Sequence, residues 1–288
     1  ARLNVTDQLR VATGARYDFQ TFEGGDGTEY DNSGLSANVA ADFDLSDNFT
    51  ISAGASRAWG GIALAESFLF DPAWTYPAEI EPVTSENFYL GFTAALGNGF
   101  GVNGKVFQSN IDNARTLYGG VATERFGLNP GDTSDLDTEG FELGVSYDWG
   151  AGFARLGYAS VSADVEGFAA DSYTGRYLTT PIGDTLVLEV AHVFDTLGLT
   201  VGADIQHTMG QDITYLGAPS GTTDDYTVVN AFAEYKHVNI QGLTLRAGIN
   251  NLFDEEYAES ASYGQEFGTV TPLNEPGRTI TIKATYEF

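Results

Sequence analysis

Cysteine is absent from the 288 residues of the sequence, and methionine occurs once. Without cysteine the chain has no disulfide framework, no thiolate metal site and no cysteine nucleophile. Basic residues are scarce as well, because 13 Lys and Arg stand against 40 Asp and Glu, for a formal net charge of −27. This acidity argues against nucleic acid as a partner and against attachment to anionic lipid, since both require clustered positive charge.

Long apolar runs are missing too. No apolar stretch approaches the roughly 18–20 residues that a membrane-spanning helix requires. The opening residues, ARLNVTDQLR, lack the apolar centre of a signal peptide. No segment shows a helical periodicity that competes with the pattern described next. The chain is therefore either cytosolic or a mature or truncated form of an exported protein, and its length suits one large all-β barrel.

Apolar and polar residues alternate along most of the chain. In the final stretch, GRTITIKATYEF, Ile280, Ile282 and Tyr286 fall on one side of an extended strand, and Thr281 and Lys283 fall on the other. This period of two is typical of a strand with one apolar face. It predicts twelve strands, near residues 8–19, 34–45, 49–59, 85–96, 100–112, 138–149, 153–163, 184–195, 199–209, 225–237, 242–253 and 278–288.

Short and long connections alternate between these strands. The short ones, SDN, GNG, GAG, DTLG and HVNIQG, are rich in residues that favour tight turns. The long ones are polar and cover residues 60–84, 113–137, 164–183, 210–224 and 254–277. We therefore expect an antiparallel sheet with its tight turns at one end and its long loops at the other.

Such a sheet could form a soluble sandwich or propeller, or a membrane barrel with apolar faces in lipid and polar faces around a wet lumen. The predicted strands are about 10–12 residues long, close to the roughly 9–11 of membrane strands. Charged residues also occur in mid-strand, where a soluble core would exclude them. These features favour an all-β, transmembrane antiparallel β-barrel.

Aromatic residues predict two interfacial girdles on this barrel. One set lies beside the short turns: Phe43, Phe49, Phe100, Tyr147, Trp149, Phe153, Phe194, Tyr235 and Phe288. The other set lies at the opposite strand ends: Tyr17, Trp59, Phe107, Phe141, Tyr226 and Phe253.

The last third of the sequence resembles the C-terminal strands of TonB-dependent outer-membrane receptors. The resemblance rests on DYTVVNAFAEYK, LTLRAGINNLFDEEY and NEPGRTITIKATYEF. In that family a strand ending in Asn-Leu-Phe-Asp is followed by a Tyr, a loop, a Gly-Arg that opens the last strand, and a terminal Phe. The matching positions are Asn251, Leu252, Phe253, Asp254, Tyr257, Gly277, Arg278 and Phe288. Looser matches such as GARYDF and DTEGFELGVSYDWG extend the likeness over the whole chain.

This resemblance implies uptake of a scarce, bulky nutrient, first a ferric-siderophore complex and then haem or cobalamin. The family's barrels have about 22 strands and a plugged lumen, whereas the sequence predicts about twelve strands and no plug domain. We therefore interpret residues 1–288 as the C-terminal part of a receptor barrel. The implied partners are outer-membrane lipid, the TonB complex through the absent plug, a ferric chelate, and the barrel-assembly machinery through the last strand.

Two other interpretations stay open from the residues alone. The first is a complete, porin-like barrel of twelve strands, which would pair its first strand with its last. The second is a barrel enzyme such as a lipase or protease. No motif places a nucleophile beside a base, so we predict no enzyme, no catalytic residue and no cofactor.

Two groups of residues are candidates for ligand contact. Aromatic residues of the long loops could stack on a planar ligand or pack among themselves: Trp74, Tyr76, Tyr118, Tyr173, Tyr177, Tyr215, Tyr263 and Phe267. Bases on the polar strand faces could meet a plug or an anionic substrate, or pair with lumenal carboxylates such as Glu142 and Asp204: Arg10, Arg16, Lys105, Arg155 and Arg246.

Haem and metal receive little support. Haem-binding members of the family use a loop histidine near an Arg-Ala-Pro segment, and the corresponding SRAWGGIALAESF has neither the proline nor a nearby histidine. His192, His207 and His237 fall within or at the ends of strands. The acidic runs near residues 26–31 and 132–139 match no twelve-residue calcium loop, so no metal site is predicted.

Overall fold

The computed structural model describes residues 1–24, 27–62, 79–115, 133–170, 183–215, 218–236, 240, 242–259, 264–266, 269–271 and 273–287. Within these ranges the chain forms strands and turns, with one short 3-10 helix at Asp195–Leu197. No helix in these ranges has the length and apolar character needed to cross a membrane.

The strands are numbered in chain order. They are β1 (Arg2–Asn4), β2 (Leu9–Glu23), β3 (Glu29–Ser46), β4 (Phe49–Gly61), β5 (Val83–Gly97), β6 (Phe100–Arg115), β7 (Thr133–Asp148), β8 (Gly152–Val165), β9 (Phe168–Ala169), β10 (Thr185–Phe194), β11 (Leu199–Thr208), β12 (Asp212–Tyr215), β13 (Ala218–Thr222), β14 (Tyr226–Lys236), β15 (Leu243–Asn250), β16 (Gly264–Glu266), β17 (Thr269–Thr271) and β18 (Thr279–Tyr286).

Thirteen of these strands form one antiparallel meander in the order β1-β2-β3-β4-β5-β6-β7-β8-β10-β11-β14-β15-β18. β9 adds to β8 at the margin, while β12–β13 and β16–β17 are separate hairpins. Within the described residues no ladder joins β18 to β1 or β2, so the sheet has two ends. The pairing that a closed twelve-stranded barrel requires is therefore missing.

All twelve predicted strands are present in the predicted order, but several are longer than predicted. β2 and β3 pair from Leu9 opposite Phe43 to Glu23 opposite Glu29, well beyond the predicted ends near residues 19 and 34. β7 begins at Thr133, inside the connection predicted for residues 113–137. Two of the other predicted connections contain hairpins, β12–β13 and β16–β17. β1 was not predicted at all.

The short turns follow the chemistry that the sequence indicates. In the GNG turn between β5 and β6, Gly97, Asn98 and Gly99 have φ angles of 84°, 53° and 85°. A Cβ atom on Gly99 would lie 1.9 Å from the Asp148 carbonyl oxygen. Only glycine fits this position, both because of its φ and because of the neighbouring strand.

The sheet has one apolar and one polar face, and strand register keeps them separate. Phe43 lies opposite Ile51, which lies opposite Phe92, whereas the adjacent Asp42 lies opposite Ser52. We call the apolar face the outer face and the polar face the inner face. Large side chains of the outer face are exposed along the whole sheet, for example Leu35, Val39, Leu90, Val106, Leu143, Leu156, Val190 and Ile282. An exposed apolar band of this extent is typical of a surface in contact with lipid.

One aromatic girdle is visible on the outer face at the short-turn end. Phe100 stacks on Tyr147 with ring centroids 4.3 Å apart, and Tyr147 contacts Trp149 at 5.6 Å. Trp149 donates its indole N–H to His192 Nδ1 at 2.9 Å, and His192 meets Phe194 edge to face. His192 is thus held in the girdle, as an interfacial histidine would be.

Three of the predicted girdle residues belong to the inner face instead. Phe153 lies opposite Ala191, Phe107 opposite Gly140, and Tyr226 opposite Thr208, all at positions of inner parity. The girdle prediction was wrong for them because it used distance from the turns and ignored which way each residue alternates.

The border of the apolar band at the long-loop end, called the upper border, slopes across the sheet. On the outer face the first charged residue above the band is Arg57 on β4, which faces Glu86 on β5. Cross-strand pairing from Arg57 through Glu86 and Asn110 leads to Asp137 on β7, so these residues form one row across the sheet. On β7, however, the border lies at Glu139, which is two residues nearer the short turns than Asp137. Beside β10 it lies at Asp184, which bonds to Ser160 in the row of Phe141. Such stepping is expected of strands tilted to the membrane normal.

Candidate functional site

Each of the five predicted inward-facing bases is paired with a carboxylate. Arg10 binds Asp44 through both terminal nitrogens, one of them at 2.9 Å, and Arg16 Nε lies 2.7 Å from Asp18. The other three pair directly across strands, in the combinations Lys105–Glu142 at 3.2 Å, Arg155–Glu189 at 3.7 Å and Arg246–Glu234 at 3.4 Å. Asp204, in contrast, accepts a hydrogen bond from Asn230 Nδ2 at 2.7 Å. The inner wall therefore largely neutralises its own charges.

Three of these bases also lie over aromatic rings. The Arg155 guanidinium is 4.2 Å from the centroid of Phe153, the Arg246 guanidinium is 4.3 Å from Phe232, and Lys105 Nζ is 5.1 Å from Phe107. Sequence reasoning missed these pairs. A signal was available for two of them, because Lys105-x-Phe107 and Phe153-x-Arg155 put both residues on one face of a strand. Arg246 and Phe232 lie on different strands and meet only through the register of β14 with β15.

Asn251, the first residue of the family motif, holds the turn after β15. Its side-chain oxygen accepts the Glu255 N–H at 2.8 Å, and its Nδ2 donates to the Glu255 carbonyl at 2.8 Å. Its own backbone N–H donates to Asn230 Oδ1 on β14 at 2.9 Å. Asn251 is 3% exposed and has a φ of 52°, a left-handed conformation that asparagine tolerates. The motif residue is thus structural.

Asp254 and Gly277 join this turn to the last strand. Asp254 Oδ1 accepts the Arg278 backbone N–H at 2.7 Å, and Arg278 Nη1 reaches the Leu252 carbonyl at 3.5 Å. A Cβ atom on Gly277 would lie 2.8 Å from Asp254 Oδ1. Glycine at 277 therefore lets the two segments approach, and the Gly-Arg pair sets where β18 begins.

We expect Asn251→Ala to lower the free energy of unfolding of the full-length protein by about 2–3 kcal/mol. The change removes both side-chain hydrogen bonds to Glu255 and places alanine in a left-handed conformation. Urea titration followed by tryptophan fluorescence measures the loss. Asn250→Ala is the matched control, because Asn250 ends β15 next to it with an ordinary φ, and a shift of equal size there would contradict the structural role.

A cavity of about 370 Å³ opens on the inner face at the long-loop end of β11, β14, β15 and β18. Tyr226 and Tyr257 line it with ring centroids 4.6 Å apart and an interplanar angle of 33°. Burial first, and then the charges of Glu259 and Glu275, raise the pKa of Tyr257 above its ordinary value. The Tyr257 phenol therefore keeps its proton, in a negatively charged environment.

Two apolar clusters close the inner face at the same end. Phe22, Tyr30, Ile62 and Ile80 form one, and Leu136, Val165 and Ala170 form the other. Gln20 fixes Ile62 beside the first cluster, because its amide both accepts the Ile62 N–H and donates to the Ile62 carbonyl at 2.8 Å. Three residues outside the strands, Ile62 after β4, Ile80 before β5 and Ala170 after β9, are thus anchored onto the inner wall.

Most predicted ligand-contact residues lie outside the described residues. These are Trp74, Tyr76, Tyr118, Tyr173, Tyr177, Tyr263 and Phe267. Tyr215 is described only as the last residue of β12, and Phe288 and His237 also lie outside the description. Their roles remain predictions.

The two described histidines belong to the outer face. His192 takes part in the aromatic girdle, and His207 Nδ1 lies 2.9 Å from the Thr227 hydroxyl. No cluster of three or more His, Asp or Glu residues in the described part of the chain has metal-binding geometry. Neither histidine therefore faces the inside of the sheet.

Comparison with known proteins places this sheet in a family. Residues 1–252 match the family model for the β-barrel of TonB-dependent receptor-like proteins. The chain belongs to the TonB-dependent receptors. Members of this family are β-barrels of the bacterial outer membrane, so the apolar outer face lies in that membrane and the inner face lines the lumen.

Three similar proteins are named as transporters or receptors. The heme transporter BhuA of Brucella suis is 27% identical over 299 residues, which cover 100% of this chain and 43% of BhuA. The FrpB iron transporter of Neisseria meningitidis aligns over 100% of this chain and 44% of its own, with a TM-score of 0.78 and 18% identity. The ferripyoverdine receptor of Pseudomonas aeruginosa aligns over 100% of this chain and 37% of its own, with a TM-score of 0.69 and 19% identity. These two structures show the fold alone, and the chain spans less than half of each relative.

The membrane topology can be tested with single cysteines introduced into residues 1–288 of the full-length protein, because these residues contain no cysteine of their own; any cysteine elsewhere in the protein is first replaced by serine. We expect Asp224→Cys, at the long-loop end, to react with an impermeant maleimide on whole cells. Asp47→Cys lies in a short turn and should react only after the outer membrane is opened. Labelling in the reverse order would invert the assignment of the two ends.

Proposed function

We propose that the full-length protein carries out TonB-dependent uptake of a bulky iron chelate across the outer membrane, with a ferric-siderophore complex as its cargo. This chain forms the C-terminal part of the barrel, and the rest of the protein supplies the plug and its contact with TonB. The main support is family membership. In addition, the chain spans less than half the length of the related proteins. Outer-membrane lipid and the barrel-assembly machinery are the further partners of this proposal.

The inner wall supports a receptor with a plug better than an open channel. Every predicted inward base is paired with a carboxylate within the sheet, and this pairing lowers the charge that the described inner wall offers for ion selection of the kind seen in charged pores. The extracellular mouth offers what a bulky ligand needs, namely anchored segments and an aromatic-lined cavity. No step of this function requires catalysis by the chain.

Haem is the second candidate cargo, because the BhuA proteins matched across the whole chain are heme transporters. The positions of His192 and His207 speak against it, since both are on the lipid-facing side. Haem iron bound to protein is commonly held by a histidine. A histidine ligand for haem would therefore have to be His237 or come from another part of the protein.

Uptake in the native host tests the proposal. We expect deletion of the gene to abolish uptake of radioactive iron from at least one siderophore in a panel of hydroxamate, catecholate and carboxylate chelates. Complementation with the full-length gene should restore it, and a protonophore should block it, because energy reaches the plug through TonB.

The controls separate the alternatives. If the deletion strain lost growth on haem while its uptake of every siderophore was unchanged, the cargo would be haem and not a siderophore. Protonophore-insensitive entry of small solutes through the purified protein in liposomes would indicate a passive porin and overturn energy-coupled uptake.

A further inference from the structure

The cavity at the mouth of the inner wall has an electron-rich lining. Two phenol rings, Tyr226 and Tyr257, and the carboxylate of Glu259 contribute to it. Tyr226, the first residue of β14, is 8% exposed, and the Tyr257 ring packs against it. Among the described residues that line the cavity there is no Lys, Arg or His. The lining therefore presents negative potential with no compensating base.

Three of the four amide side chains that line the cavity are already engaged. Asn251 is bound to Glu255 and to Asn230, and Asn230 in turn donates to Asp204. Gln206 Nε2 donates to the Thr208 hydroxyl. What remains for an occupant is the ring surface, the Asn250 amide and the Glu259 carboxylate.

The surrounding segment strengthens this potential. Residues 254–277 contain six carboxylates and no Lys or Arg. The base that follows, Arg278, bonds to the Leu252 carbonyl and occupies a position of outer parity beside Thr279, so it does not neutralise the cavity. Burial first, and then the charges of Glu259 and Glu275, raise the pKa of Tyr257, and the second cause shows that these two carboxylates act on the ring.

We propose that this cavity is a binding site for an organic ammonium group, held by the faces of Tyr226 and Tyr257 and by the carboxylate of Glu259. Aromatic faces attract ammonium ions through their quadrupole, and a nearby carboxylate adds direct charge attraction. A hard divalent ion is a poorer match, because it requires six or more oxygen ligands and one carboxylate lines the cavity. The inference rests on the proposed function to the extent that the ammonium group is a protonated amine carried by the cargo.

Small probes test the site without any cargo. The full-length receptor in nanodiscs is titrated with tetramethylammonium, with tert-butanol as its neutral analogue and with acetate as an anion, and binding is read by saturation-transfer NMR. We expect transfer to tetramethylammonium alone. Glu259→Gln and Tyr257→Leu should each weaken its binding about three- to tenfold, whereas Tyr257→Phe keeps the ring and should bind nearly as well as the wild type.

Asp47→Asn is the matched control, because it removes the same charge as Glu259→Gln at the opposite end of the sheet. It should leave binding unchanged. Equal signals from the three probes, no signal from tetramethylammonium, or equal weakening by Asp47→Asn would overturn the site. Failure of the uptake experiment, with selective tetramethylammonium binding intact, would remove the siderophore proposal and leave the cation site.

Discussion

Replacement of Ile282 by Arg in the full-length protein is expected to cost about 2–4 kcal/mol of folding free energy. Ile282 lies in the middle of β18, opposite Ala247, on the outer face, and is 83% exposed in the sheet. In the outer membrane that exposure becomes contact with hydrocarbon. A guanidinium at this depth must lose its hydration or distort the bilayer. Urea unfolding from liposomes, followed by tryptophan fluorescence, measures the change.

The adjacent Thr281 supplies a control that differs only in face. Thr281 pairs with Gly248 and points to the inner side with Lys283 and Arg246. Thr281→Arg should cost less than about 1 kcal/mol, as is usual for substitutions at wet positions. If both variants lost the same stability, the outer face would not be in lipid.

The second large effect concerns the chain by itself. Refolded alone in detergent, residues 1–288 should give no heat-modifiable, protease-resistant barrel, whereas the full-length receptor should. β18 has eight residues and one paired edge, so about four N–H and four C=O groups point away from β15. Each unsatisfied group in hydrocarbon costs several kcal/mol, so these roughly eight groups together cost more than the net stability of most domains.

Supplying the remaining strands is the informative control. Co-refolding of residues 1–288 with the rest of the receptor should restore the resistant form, because the missing strands would pair with β18 and with β2. A resistant barrel formed by residues 1–288 alone would mean that the two ends of the sheet can pair. That result would revive the small porin.

The sequence predicted the number, order and faces of the long strands, and the reason is physical. Lipid on one side and water on the other impose a strict alternation, which is visible in β15 and β18 without any knowledge of their partners. The strand ends were predicted less well. β2, β3 and β7 continue beyond the apolar band, where the outer positions become polar and buried apolar residues such as Phe22 and Leu136 lie on the inner face. The alternation that marks the band therefore no longer marks the strand.

The site was predictable to a smaller extent. Parity alone identified the inward bases, and their pairing with carboxylates was one of the two outcomes considered. The role of Asn251 could not be derived from spacing, because its partners Asn230 and Glu255 meet only through the register of β14 with β15. The same holds for the Tyr226–Tyr257 pair, which joins positions 31 residues apart. Contacts of this kind depend on the three-dimensional path of the chain.

The sloping border of the apolar band has a consequence for the membrane itself. On β3 the outward apolar residues run from Leu35 to Leu45, a length of roughly 33 Å at about 3.3 Å per residue. With a strand tilt of about 40°, this corresponds to a hydrophobic height of roughly 25 Å. The tilt, more than the number of residues, therefore sets the bilayer thickness that the protein matches. A thicker bilayer would have to thin around the barrel, at an elastic cost of a fraction of a kcal/mol per ångström of mismatch, and such deformations draw neighbouring barrels together.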